Sequence, residues 1–72
     1  MKGGKLYMHN FLLQFRKNRG FTQEDFANEI GITLTYYSKI ELGLRNPSYN
    51  FLNKFKHVFP ESSVDEIFFN DI

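Results

Sequence analysis

The chain has no cysteine and no tryptophan among its 72 residues, and only two prolines. Without cysteine there are no disulfide staples and no thiolate metal sites, the usual reinforcements of so short a chain. The same lack agrees with a reducing, cytoplasmic compartment. Both prolines, Pro47 and Pro60, fall late, so residues 1–46 are free of the strongest helix breaker. No apolar run reaches membrane-spanning length. His9 and Asn10 interrupt the nearest one, MKGGKLYMHNFLLQF, so neither a signal peptide nor a membrane span is expected. Charge of one sign is also missing. A net charge of +1 names no partner by itself. There is no Gly-rich phosphate loop, nucleophile elbow or Ser/His/Asp grouping, so no catalytic residue and no enzyme activity are expected. His9 and His57 stand far apart with no acids gathered around either, and neither a metal site nor a cofactor is expected.

What the chain does have is rings: nine phenylalanines and four tyrosines. A chain of this length makes a single domain, residues 1–72, with a modest core, and large rings fill such a core with few side chains. The charges fall in blocks. Lys2, Lys5, Arg16, Lys17 and Arg19 open the chain without an acid; Glu61, Asp65, Glu66 and Asp71 close it without a base. Basic blocks on one face and an acidic tail on another is one outcome; a mixed, solvated surface is the other.

The stretch from Phe21 to Gly43 reads as two short helices joined by a tight turn. Thr22 is an N-cap with Asp25 at the third helical position. Phe26, Ala27 and Ile30 recur at helical spacing, and Gly31 offers the left-handed residue that ends a helix. Thr33 caps the next helix, which runs to about Leu42, with Tyr37, Ile40 and Glu41 on its inner side. Around this pair, a first helix is expected from Met8 or Phe11 to Asn18, burying Phe11, Leu12 and Phe15. Residues 1–7 read as a flexible arm, either touching phosphate or simply frayed. Ser48 caps a fourth helix carrying Tyr49, Phe51, Leu52, Phe55, Val58 and Phe59 up to Pro60. Ser63 with Glu66 opens a fifth, from Val64 to about Phe69. Phe68 and Phe69 are adjacent, so one faces inward and the other is available to a second copy, unless both fold onto the first helix. An all-α bundle of five short helices follows.

With Arg16 before it and Arg45-Asn46-Pro47-Ser48 after it, this stretch resembles the Cro/C1-type (xenobiotic response element) helix-turn-helix family over about Phe11 to Phe69. Arg16, Gln23, Ala27, Gly31, Ser38, Glu41, Gly43 and Pro47 fall in the family's register. The resemblance implies a lambda-repressor-like domain whose third helix enters the major groove of double-stranded DNA. Arg16 and Glu41 lie on otherwise apolar faces, where either would be costly to bury alone. The resemblance implies that they pair across the first and third helices. It also implies a DNA-facing set: Gln23, Thr33, Leu34, Thr35, Tyr36, Ser38, Lys39, Arg45 and Asn46. Gln23, at a helix N-terminus, suits phosphate. Thr35 and Lys39, one turn apart, suit base edges. Leu34 has two readings, base contact or core, and Tyr36 can stack or bond to backbone. Arg45 and Asn46 suit the sugar-phosphate chain. The paired glutamines that some phage repressors carry at the start of this helix are missing, which shifts readout toward apolar contact and DNA shape. The expected function is a homodimeric regulator on a palindromic operator, either a phage-type repressor or a restriction-modification controller. The alternative is an antitoxin or another protein-interaction module on the same fold.

Overall fold

A computed structural model of the chain describes residues 4–69, with side chains from Phe11 to Phe69. The described residues form five helices and no strand: α1 (Gly4–Asn18), α2 (Gln23–Ile30), α3 (Leu34–Glu41), α4 (Tyr49–Val58) and α5 (Val64–Phe68). Four of them start where a hydroxyl can cap them. Thr22 Oγ1 accepts from Asp25 N–H at 3.0 Å, and Thr33 Oγ1 from Tyr36 N–H at 3.1 Å. Ser48 Oγ accepts from Phe51 N–H at 3.1 Å, and Ser63 Oγ from Glu66 N–H at 3.3 Å. Each cap satisfies a backbone donor left over at the helix start and contributes about 1 kcal/mol.

The α2–α3 turn depends on Gly31, at φ 93° and ψ 35°. A β-carbon there would meet nothing within 4 Å, so it is the left-handed backbone, not space, that calls for glycine. Gly31 N–H bonds Ala27 O at 2.9 Å and Ile32 N–H bonds the same oxygen at 3.0 Å, closing α2 in one turn. The Lys54 ammonium of α4 donates to Gly31 O at 3.3 Å, placing a cation at the negative end of α2.

The core is largely aromatic. Phe26, Tyr37, Phe51, Phe55 and Phe68 are fully buried, joined by Leu12, Ala27, Ile30, Ile40, Phe59 and Ile67. Phe26 stands at its centre, within 6.3 Å between ring centroids of Phe15, Phe21, Tyr37, Phe55 and Phe59. Burial of each such ring stabilises by about 1.5–3 kcal/mol. Of the terminal pair, Phe68 is buried and Phe69 exposed.

Two expectations for α1 need correction. It begins at Gly4, so residues 4–7 are helical and not an arm; residues 1–3, with Lys2, lie outside the described residues, as do the side chains of Lys5 and His9. Lys5, Leu6 and Met8 are good helix formers with no proline to stop them. Phe11 is exposed, at 38 %, because α1 turns Leu12 and Arg16 inward and leaves Phe11 at the rim, beside Phe15 and Ile67.

Candidate nucleic-acid interface

The C-terminal end of α3 carries a buried carboxylate on which side chains of three helices converge. Glu41 lies buried where α1, α2 and α3 meet. Arg16 of α1 reaches it with two bonds, Nε to Oε2 at 2.8 Å and Nη2 to Oε1 at 3.2 Å. The third guanidinium nitrogen, Nη1, donates to Phe21 O at 2.9 Å, just ahead of α2. Tyr37, one turn back along α3, donates its hydroxyl to Glu41 Oε2 at 2.5 Å. Gln23, the first residue of α2, donates Nε2 to Oε1 at 2.6 Å. Ser38 in turn donates its hydroxyl to Gln23 Oε1 at 3.2 Å. A planar guanidinium on a planar carboxylate tolerates little rotation, so this junction ties the angle of α3 to α1 and α2.

Electrostatics within the junction are consistent with those bonds. Burial pushes the Glu41 carboxyl up, but donation from Arg16, Tyr37 and Gln23 outweighs it and holds the group below its ordinary value. The hydrogen bond to Glu41 raises Arg16. Burial, and then the bond to Glu41, raise the Tyr37 hydroxyl well above its ordinary value. At neutral pH the junction is therefore an ion pair with a neutral phenol donor.

The opposite side of α3 faces outward. Thr35 and Lys39 are exposed there, and Leu34 is exposed at the first turn of the helix, at 42 %. Leu34 is not among the buried core residues. Beyond the helix, Leu44 N–H at 2.8 Å and Arg45 N–H at 3.3 Å both bond Lys39 O, which folds the loop back under α3. Arg45 then sits with its guanidinium 5.4 Å from the centre of the Tyr36 ring. Asn46 is exposed in the same loop. A groove of about 410 Å³ continues this surface, with Thr33, Tyr36, Arg45, Ser48, Asn50 and Lys54 on its walls.

Three residues of the expected DNA-facing set are differently placed than a free surface position implies. Gln23 does not stand open in the first turn of α2; one amide N–H and the carbonyl are spent on Glu41 and Ser38, leaving one N–H. Ser38 is spent on Gln23. Tyr36 donates to Ser48 Oγ at 3.1 Å and accepts from Ser48 N–H at 3.2 Å, so its hydroxyl belongs to the start of α4. Tyr37 was expected only as a core ring, yet its hydroxyl completes the Glu41 cluster. The four-residue spacing from Tyr37 to Glu41 was the available signal. Among the described residues no three of His, Cys, Asp and Glu converge as metal ligands, and no helix is long and apolar enough to cross a membrane.

Compared with known proteins, residues 10–59 match a family model described as a helix-turn-helix domain. The chain is also similar to an uncharacterized HTH-type transcriptional regulator, YazB, of Bacillus subtilis strain 168. Identity to it is 50 % over 34 residues, 47 % of this chain. The matched stretch is 49 % of that relative, so the chain spans about half its length. No solved structure matches.

Proposed function

The chain belongs to the helix-turn-helix domain family, and from that premise we propose that it is a sequence-specific, double-stranded-DNA-binding transcriptional regulator of Cro/C1 type. In this reading α3 enters the major groove and α2 lies across the backbone. A homodimer reads a palindromic operator, as a phage-type repressor or a restriction-modification controller does, in the cytoplasm and without catalysis. One observation carries it: a three-helix junction at Glu41 backs α3 while Thr35 and Lys39 face outward together, with Leu34 exposed at the first turn and Arg45 in the loop just past the helix. A side chain on a rigid helix can specify a base; a cation on the following loop serves the phosphates. The relative named as an HTH-type transcriptional regulator supports the same reading.

The test is selection of bound sites from random duplex, followed by salt titration of the preferred site. The salt slope should correspond to roughly 4–8 phosphates per dimer, at about −0.9 per phosphate. Thr35→Ala or Lys39→Ala should cost about 1–3 kcal/mol on the preferred site and change the selected sequence. Arg45→Ala should weaken all sequences alike and lower the slope by about one. Failure to bind any duplex at low salt overturns the proposal.

A further inference from the structure

Few polar groups are left open at the part of α3 that would lie deepest in a groove. Helices of this layout present their N-terminal residues to base edges. Here those residues are Leu34, Thr35 and Tyr36. The Tyr36 hydroxyl is engaged with Ser48, the Ser38 hydroxyl with Gln23, and the Gln23 amide with Glu41. Lys39 remains exposed, but it sits a full turn beyond Thr35. Leu34 is the first residue of the helix and 42 % exposed, an apolar side chain in water at its N-terminal end. α3 and the loop to Ser48 carry Lys39 and Arg45 as exposed cations, while their single acid, Glu41, is buried against Arg16. The surface is thus cationic with an apolar leading edge, complementary to a polyanion that itself carries an apolar group.

Major-groove edges hold one such group, the methyl on C5 of thymine. We propose that Leu34, beside the Thr35 methyl, is a specificity-determining contact of this chain, in addition to Thr35 and Lys39, and reads the 5-methyl group of a pyrimidine in the major groove. The inference rests on the DNA-reading proposal above and adds to it the chemistry that is read. The same surface would accept the methyl of 5-methylcytosine, because the contact is with the methyl and not with the Watson–Crick partner.

The experiment uses the full chain and its selected duplex, synthesised with uracil in place of thymine at each position in turn. A second series replaces the responsive T·A pair by C·G or by 5-methylcytosine·G. At one or more thymines, uracil should lower affinity about four-fold, the transfer value of one methyl group. The 5-methylcytosine·G duplex should bind about four-fold tighter than its C·G counterpart. Leu34→Ala, which removes an exposed side chain and should melt like the parent, should abolish both differences. Equal affinity for thymine and uracil at every position, with binding otherwise intact, overturns this inference alone. A methyl effect that survives Leu34→Ala overturns the assignment to Leu34. Absence of binding to any duplex overturns the DNA-reading proposal and this inference with it.

Discussion

α3 is held by two regions of opposite material. On one side Tyr37 and Ile40 press into the aromatic core around Phe26, where rings meet at centroid distances of 5.3 Å and beyond and at varied angles. On the other, Glu41 accepts four hydrogen bonds from three side chains: two from Arg16 of α1, one from Gln23 of α2 and one from Tyr37 of its own helix. The burial term of the rings is non-directional, whereas a guanidinium on a carboxylate is satisfied in one geometry. The bidentate pair contributes little net stability for its burial, yet it permits one angle. The contrast separates two jobs: the core stabilises the fold, and the polar junction orients the surface that faces out.

Substitutions in the two regions should therefore fail differently. The largest loss is expected for Phe26→Ala, at the upper end of about 3–5 kcal/mol, because the five rings around it cannot all close the cavity. Denaturant melts measure it. At temperatures where the variant is still folded, its selected DNA sites should match the parent's. A changed site preference would break the separation.

Arg16→Met should cost about 3 kcal/mol by leaving Glu41 buried without its cation. The geometry makes recovery specific. Replacing Glu41 by Leu as well would leave the fully buried Tyr37 hydroxyl without its acceptor, so the double variant should recover only part of the loss. Adding Tyr37→Phe should recover most of the rest, while DNA affinity stays low because nothing then fixes the angle of α3. A triple variant both stable and fully active in binding would show that the junction does not orient the helix.

The smallest effect, about 1.5–3 kcal/mol, is expected for Tyr37→Phe alone, which removes one hydrogen bond to a carboxylate. It carries a pH signature of its own. Glu41 is depressed in the folded state, so its contribution is present above the ordinary carboxylate range and is lost as pH falls through the folded value. Tyr37 is raised, so its contribution is present below its ordinary value of 10.0 and is lost as pH rises above that. Thermal melts across both ranges should show an acid and an alkaline loss in the parent. Tyr37→Phe should remove the part of the alkaline loss that belongs to this phenol. An unchanged alkaline limb would place the phenol outside the cluster.

Much of the architecture was legible in one dimension because its causes are local. Thr22, Thr33, Ser48 and Ser63 announce helix starts by bonding an N–H three residues on, and Gly31 announces a stop by its own backbone. The spacing of Phe26, Ala27 and Ile30, and of Tyr37, Ile40 and Glu41, likewise determined which faces turn inward. Which polar side chains are spent was decided only in the fold. Arg16 and Glu41, 25 residues apart, were paired in advance only by the family resemblance; Gln23 and Glu41, 18 apart, Gln23 and Ser38, 15 apart, and Tyr36 and Ser48, 12 apart, were not paired at all. No periodicity within a helix reports such pairs, since they exist only where helices cross. The same holds for the exposure of Phe11 and Leu34, whose apolar character points inward while their neighbours have already filled the interior.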